Sequence, residues 1–191
     1  MDNHNEANTR KDLIDPALNK ADWDVHNSAQ VGIEIPADGF DLQKWKELEA
    51  QLRASENIPN VQLPSGICDY VLYRENGEII AVVEAKRSSF DPKLAQAQTE
   101  FYVKEIEKQQ GWRPFAFMTN GYDTYFLDVG ISNKRLVAGF FSPDDLENIL
   151  FLRNNKTPLT QAHISTYIAG RPYQQEAIRR LCETFEQGKR M

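Results

Sequence analysis

Two acidic residues and a lysine occur in a short apolar stretch, in a pattern that could support metal-dependent chemistry. Asp69 is followed fifteen residues later by Glu84, and Lys86 comes two residues after Glu84. Two carboxylates that converge on one point form a hard-oxygen site of the kind that Mg²⁺ uses with phosphate substrates. An acid pair beside a lysine is also a common salt-bridge cluster of edge strands, so the spacing alone leaves both interpretations open.

A predicted β-hairpin explains how these residues come together. Residues 66–86 contain two apolar runs on either side of Asn76-Gly77. Asn-Gly between such runs is a strong hairpin signal, because both turn residues accept a positive φ. If these two residues form the loop, directly opposed Cβ atoms are about 5 Å apart. The opposed pairs are then Glu75–Glu78, Tyr73–Ile80, Val71–Val82 and Asp69–Glu84.

The predicted pairing sets two negative charges against each other in apolar surroundings. Desolvation by the neighbouring aliphatic side chains strengthens the repulsion between Asp69 and Glu84. Lys86 lies on the same face as Glu84, because side chains alternate along a strand. We therefore expect a positive group between the two acids, which is Lys86, a divalent cation or both.

The rest of the chain predicts an α/β fold with a mixed sheet and helices packed against it. A helix is expected over residues 5–20, with a kink or break at Pro16, and a strand over 31–35. Residues 41–53 indicate either a surface helix or a mobile insertion, and 57–64 a loop. After the hairpin, a helix begins at Asp91-Pro92 and ends near Gln110. Further strands are expected within 113–121, 122–129 and 135–141, and a helix then reaches about residue 152.

Composition restricts the class of protein. The chain has 191 residues, a net charge of −6 and two distant cysteines, Cys68 and Cys182, which argue against a zinc site or a disulfide framework. The acidic charge argues against a free-standing DNA-binding protein, whose affinity comes from neutralising phosphates. It is compatible with an acidic metal site that another domain or subunit delivers to its substrate. The polar N-terminus and the lack of a long apolar run predict a cytoplasmic protein without a membrane segment.

The motifs resemble those of a known nuclease superfamily. Asp69 followed by Glu84-x-Lys86 on a hairpin resembles the PD-(D/E)XK signature, although Cys68 stands where the nominal proline precedes the first acid. Gln98 and Tyr102 resemble the QxxxY element of nucleases attached to DNA motors. Together with NEANTRKDLIDPALNKADW, DYVLY…AVVEAK and MTNGYDTYFLD, the whole run resembles the N-terminal domain of the restriction subunit of type I restriction-modification enzymes.

This resemblance implies a restriction-endonuclease-like fold and a role for each matching residue. The implied Mg²⁺ ligands are Asp69, Glu84 and the backbone carbonyl of Ala85. Lys86 positions the attacking water; the alternative role of Lys86 is to neutralise Glu84. The remaining candidates are named with their alternatives. Gln98 and Tyr102 bind DNA backbone or orient the active site; the alternative is an ordinary polar helix face. Glu6 supplies another carboxylate, or is a capping or solvated residue. Arg10 contacts phosphate, or is an ordinary surface residue.

The C-terminal part of the chain has a different character. Residues 154–170 predict a linker after an endonuclease domain at 1–153. Residues 171–191, which contain RPYQQEAI, resemble the glutamine motif that opens a superfamily 2 helicase domain. In such a motor, Gln174 reads an adenine edge and Tyr173 packs nearby. The sequence contains no GxxxxGK[ST] motif, so we expect ATP binding only in a full-length protein that includes the rest of the motor.

The resulting hypothesis is the Mg²⁺-dependent endonuclease domain of a type I restriction subunit. Such a domain hydrolyses phosphodiester bonds of double-stranded DNA after ATP-driven translocation by the motor domains. Its implied partners are double-stranded DNA and the methylation and specificity subunits. The alternative is a non-catalytic adaptor with the same fold, which links the motor to partner subunits and uses the acids in a closed salt-bridge cluster.

Overall fold

The computed structural model of the protein describes residues 6–39, 66–87 and 95–187, with side chains from residue 8 onward. The predicted segments at 41–53 and 57–64 and the predicted helix start at Asp91-Pro92 lie outside these residues. The chain divides into two compact units, Met1–Glu147 and Asn148–Met191. This division falls inside a helix, whereas the sequence places the end of the first domain at residue 153.

A six-stranded mixed sheet forms the first unit. Its strands are β1 (Val31–Pro36), β2 (Ile67–Tyr73), β3 (Ile79–Ala85), β4 (Phe115–Thr119), β5 (Thr124–Leu127) and β6 (Arg135–Val137). They neighbour one another in chain order; β3 and β4 are parallel, and every other neighbouring pair is antiparallel. A parallel neighbour requires a crossover connection, and a helix lies between these two strands in the sequence. The predicted α/β architecture with a mixed sheet is confirmed.

The helical segments match the predicted positions closely. They are α1 (Glu6–Thr9), a π-helical turn (Arg10–Ile14), α2 (Asp15–Lys20), α3 (Gln96–Gln110), α4 (Pro143–Asn154), a 3₁₀ turn (Leu159–Gln161) and α5 (Pro172–Glu186). The irregularity expected at Pro16 lies one turn earlier, in the π-helical segment, because Pro16 occupies the first turn of α2, where a missing N–H is tolerated. No described helix combines the length and apolar character that a membrane crossing needs.

The end of α3 follows from glycine chemistry. Gly111 takes the left-handed conformation, with a φ of 81°, and its N–H donates to the Glu107 carbonyl oxygen at 2.9 Å. This hydrogen bond satisfies a carbonyl group of the last helical turn and ends the helix where the sequence predicts.

Both faces of the sheet are covered. On one face, Val71, Val82 and Met118 belong to an apolar cluster that includes Tyr102 and Val103 of α3. On the other, β4 contributes to an aromatic cluster that contains Phe115, Phe117, Phe126, Phe140 and Phe141. Burial on both faces explains why β4 is apolar at nearly every position rather than at alternate ones.

The hairpin turn has three residues, Glu75–Gly77, rather than the predicted two. The Gly77 N–H donates to the Arg74 carbonyl oxygen at 2.9 Å, and the Arg74 N–H donates to the Glu78 carbonyl oxygen at 2.8 Å. Within the turn only Gly77 has a positive φ, 83°, which fits the three-residue loop that places one left-handed residue after a type I turn. The predicted Glu75–Glu78 pair is therefore wrong, because Arg74 is the residue across from Glu78.

A β-bulge restores the predicted register further along the hairpin. Tyr73 pairs with Ile79 rather than with Ile80, and the register shifts beside it. The shift places one extra residue on β3 and cancels the offset that the longer turn introduces. Beyond it, Val71 pairs with Val82, as predicted.

Candidate active site

Asp69 and Glu84 lie across from each other at the end of the hairpin far from the turn. Tyr70 pairs with Val83, and continuing this register by one residue sets Asp69 opposite Glu84. The Ala85 backbone N–H donates to Asp69 Oδ2 at 2.7 Å, so the Asp69 carboxylate is tied to the strand that carries Glu84. Both acids are largely withdrawn from solvent, with side-chain exposures of 15% for Asp69 and 3% for Glu84.

Lys86 supplies the positive charge expected beside these acids. Its Nζ donates to Glu84 Oε1 at 2.6 Å, while its backbone N–H donates to the Thr119 carbonyl oxygen at 2.8 Å and extends the β3–β4 pairing. The Lys86 side chain as a whole is 24% exposed. The ion pair therefore has one partner that is almost fully buried and one that reaches solvent.

Helix α3 brings the two residues of the QxxxY pattern to the same place. Lys86 Nζ lies 3.4 Å from Gln98 Oε1, and Gln98 Nε2 donates to the Tyr102 hydroxyl at 2.5 Å. The i, i+4 spacing makes this contact possible, since residues four apart are neighbours on a helix surface. Burial raises the pKa of Tyr102 to about 12, against the opposing effect of the hydrogen bond from Gln98.

Arg10 joins the same cluster. Its Nη2 donates to Glu34 Oε1 at 3.0 Å, and its Nη1 lies 3.4 Å from Asp69 Oδ1. Burial lowers the pKa of the Arg10 guanidinium, but the hydrogen bond to Glu34 and the charges of Asp69 and Glu34 raise it above its ordinary value overall. Arg10 therefore remains a full positive charge between two carboxylates.

Glu34 is the residue of this cluster that the sequence reasoning missed. It belongs to the short apolar strand VGIEIP, β1, and it has a φ of 55°, which is unusual for a residue other than glycine. An acid inside an otherwise apolar strand is a signal that sequence reading could have used. The positive φ and the pairing with Arg10 appear only in three dimensions.

Cys68 precedes Asp69, at the position of the nominal proline, and is fully buried. Burial raises the pKa of its thiol well above the ordinary value, and the nearby charges of Glu84 and Asp69 raise it further. The thiol is therefore neutral, and it is unsuited to act as a nucleophile because the thiolate is the reactive form.

The donor atoms fit a hard divalent cation. Carboxylate and main-chain carbonyl oxygens are the ligands that Mg²⁺ prefers, and Asp69, Glu84 and Ala85 supply these types. The Ala85 N–H faces Asp69, and its carbonyl faces the same way, because both groups of a strand residue point to one neighbour. Glu84 Oε2 is buried, and no described residue donates a hydrogen bond to this atom. Within the described ranges, no group of three or more His, Cys, Asp or Glu side chains is arranged to hold a metal ion.

The other predicted site residues belong to the second unit or lie outside the described residues. The Glu6 side chain is outside the described residues. In the second unit, Gln174 Oε1 accepts the Arg171 backbone N–H at 3.2 Å, and the Tyr173 hydroxyl accepts from Arg171 Nη1 at 3.1 Å. In this structure Gln174 therefore caps the first turn of α5.

Comparison with known proteins identifies relatives of this architecture. Residues 60–135 match the family model for the type I restriction enzyme R protein N terminus, and this match confirms the resemblance drawn from the sequence. A solved fragment structure described as an HsdR subunit of a type I restriction enzyme from Vibrio vulnificus YJ016 has 24% sequence identity and a TM-score of 0.57. The alignment covers 98% of this chain and 34% of that one. The structural likeness shows a shared restriction-endonuclease-like fold. No curated protein matches the sequence.

Proposed function

We propose that this chain, whose residues 60–135 match the family model for the type I restriction enzyme R protein N terminus, is an Mg²⁺-dependent endonuclease domain. It hydrolyses phosphodiester bonds of double-stranded DNA. The observation that carries the proposal is the meeting of Asp69, Glu84 and Lys86 at one end of a hairpin, where Gln98 contacts the Lys86 amine.

Asp69, Glu84 and the carbonyl of Ala85 hold the metal ion in this proposal. When bound, Mg²⁺ polarises the scissile phosphate and lowers the pKa of an attacking water. The chain contributes a fixed arrangement of donors, since the Ala85 N–H restrains one oxygen of Asp69 and Glu84 is packed almost out of solvent. Restrained ligands lose little conformational freedom when they bind.

Lys86 acts on the substrate. Its ammonium is positive and reaches solvent, so it can orient a water molecule and offset the negative charge that grows on the phosphoryl oxygens. Gln98 and Tyr102 form a hydrogen-bonded pair beside it. This pair limits the positions of a flexible lysine side chain, which is the support that a precisely placed catalytic group requires.

The proposal extends to the protein of which this domain is a part. The chain spans about a third of the Vibrio structure that it resembles. Residues 1–153 form the nuclease domain, 154–170 the linker and 171–191 the start of a superfamily 2 motor, in which Tyr173 and Gln174 bind the adenine of ATP. Motor-driven translocation delivers DNA in the cytoplasm, and separate methylation and specificity subunits complete the enzyme.

A second candidate function is a non-catalytic adaptor. It is favoured by the pairing within the cluster, because Glu84 has Lys86 as its ion-pair partner and Asp69 has Arg10. Acids that each have an ion-pair partner can stabilise a fold without needing a metal. The exposure that Lys86 and Asp69 retain favours the nuclease.

Calorimetric titration with Mg²⁺ and with Mn²⁺ separates the two functions. The titrations use the wild type, Asp69→Asn, Glu84→Gln and the control Glu75→Gln, which alters an exposed acid in the turn of the same hairpin. Each is repeated with duplex DNA present, because phosphate oxygens can complete a metal site. Cleavage of supercoiled plasmid is then measured under the conditions that give binding.

The nuclease predicts metal binding by the wild type and Glu75→Gln. It predicts binding weaker by at least about tenfold in both active-site variants, because loss of even a residue that only supports a ligand typically costs about 10–100-fold in metal affinity. The adaptor predicts no binding at millimolar metal, with or without duplex, and a loss of stability in both variants. The second result would overturn the nuclease proposal.

A further inference from the structure

The ion pair beside Asp69 joins two residues whose backbones are both unusual. Arg10 begins the π-helical turn Arg10–Ile14, and Glu34 adopts a φ of 55° within β1. Short π-helical segments are rare and frequently occur at functional sites. A left-handed φ is unfavourable for glutamate, which has none of the local backbone bonding that lets asparagine or aspartate adopt it. Two local distortions therefore occur at the two ends of one contact.

The Arg10 guanidinium is shared unequally between two carboxylates. It lies 3.0 Å from Glu34 Oε1 and 3.4 Å from Asp69 Oδ1, so the shorter contact is to Glu34. The other Asp69 oxygen, Oδ2, accepts the Ala85 N–H at 2.7 Å. Asp69 Oδ1 thus faces the Arg10 guanidinium in this structure.

We infer that Arg10 competes with the divalent cation for Asp69, and that Glu34 is a positioning residue that keeps Arg10 from binding Asp69 fully. This inference rests on the proposed metal-dependent function. Two cations at one carboxylate repel each other strongly at short range. Glu34 offers the guanidinium a second carboxylate, so that Arg10 can leave Asp69 without losing its ionic partner.

A simpler explanation must be separated from this one. Among the described residues, the cluster contains three carboxylates, of Asp69, Glu84 and Glu34, and two cations, Lys86 and Arg10. These five side chains have a net charge of −1. Removing the arginine charge makes the cluster −2, and removing the Glu34 charge makes it 0. A general field effect therefore predicts the same direction of change for each single variant as direct competition does.

The double variant distinguishes the two explanations. If Glu34 acts only through Arg10, then removing the Glu34 charge has no effect once Arg10 has been replaced. If both residues act through the field, their effects add, and the double variant returns to the net charge and the metal affinity of the wild type. Such a double-mutant cycle measures the coupling between the two residues directly.

The experiment is calorimetric titration of the 191-residue chain with Mn²⁺ and Mg²⁺. The variants are Arg10→Gln, Glu34→Gln and Arg10→Gln/Glu34→Gln, with Asp69→Asn as the reference for loss of the metal. We expect about tenfold tighter binding in Arg10→Gln, about threefold weaker binding in Glu34→Gln, and the Arg10→Gln affinity in the double variant. Urea unfolding of each variant checks that the fold is retained; tighter binding cannot result from a damaged fold.

Additive effects, with the double variant near the wild type, would overturn the inference, and so would unchanged or weaker binding in Arg10→Gln. Either result leaves the proposed function intact, provided that wild-type binding still depends on Asp69. If Glu34→Gln does not fold, Glu34→Asp replaces it, because this variant keeps the charge but shortens the side chain that holds Arg10. Weaker metal binding in Glu34→Asp that disappears in the Arg10→Gln background supports the positioning role, and unchanged binding overturns it. No metal binding by the wild type, with or without duplex, would overturn the proposed function and the inference together.

Discussion

Gly66 lies against the ring of Tyr102, closer than a residue with a side chain could. A Cβ built on Gly66 would stand 2.4 Å from Tyr102 Cε1, well inside van der Waals contact. The Gly66 carbonyl oxygen also accepts the Ala37 N–H at 2.9 Å, which anchors the segment just before β2. The residue that leads into the Asp69 strand and the helix that carries Gln98 are therefore held in direct contact.

Replacing Gly66 with alanine should move the Tyr102 ring. We expect a loss of about 1–3 kcal/mol in the free energy of unfolding, as for overpacking in a core. Urea denaturation measures the change. In a Tyr102→Leu background the same replacement should cost much less, because the clashing ring atom is gone; an equal cost in both backgrounds would show that the contact is not its cause.

Replacing Lys86 with methionine should destabilise the protein at neutral pH. Glu84 would lose the cation of an ion pair whose acidic side is almost fully buried, at a cost of about 2–4 kcal/mol. The matched control is Lys104→Met, which alters an exposed lysine of α3. The double variant Glu84→Gln/Lys86→Met should recover most of the loss in urea denaturation, and failure to recover would contradict the ion-pair explanation.

Tyr102 should make stability fall at alkaline pH. The pKa of Tyr102 is raised to about 12 by burial, whereas an unfolded tyrosine loses its proton near pH ~10. The folded state therefore binds the proton more tightly, and its contribution to stability is present below pH ~10 and is lost as pH rises towards ~12. Across this window the wild type should lose about 2 kcal/mol more than Tyr102→Phe in denaturant titrations. Parallel curves for the two proteins would contradict the assignment.

Gly77→Ala should weaken the hairpin. Its φ of 83° is the only positive value in the turn, and an added Cβ meets no atom within 4 Å. The expected loss of about 1 kcal/mol is therefore purely conformational. Gly139→Ala is the control, because that site is equally open but shows no positive φ. A similar loss at both sites in thermal unfolding would argue against the described turn.

The motifs and the order of elements were predictable from the sequence because they rest on local signals. Each signal predicts the structure of the residues that carry it: the apolar runs predict strands, Asn76-Gly77 predicts a hairpin turn, and the glycine after Gln110 predicts a helix end. The meeting of Lys86 with Gln98 required the packing of α3 on the sheet, and the resemblance to a known family supplied that step. Tertiary packing was therefore inferred by analogy rather than from the residues alone.

The contacts of Arg10 were beyond sequence reasoning for a different reason. Arg10 and Glu34 are 24 positions apart, and only Arg10 belongs to a segment that resembles a known family. Their contact depends on a π-helical turn and on one left-handed residue, both of which run against local preference. Local sequence preferences do not predict a backbone conformation that only the tertiary fold stabilises. Those places are where an additional role is most worth testing.

The β-bulge next to Tyr73 has a consequence for how the hairpin can vary. The bulge cancels the one-residue offset that the turn introduces. The pairing register near Asp69 therefore does not depend on the number of residues in the turn. A register slip of a single residue would send Asp69 to the opposite side of the sheet from Glu84. The turn can therefore accept a change of length by adjusting the bulge, while the acid pair keeps its partner. The tip of this hairpin is accordingly the place where insertions, tags or spectroscopic labels should be accommodated most easily.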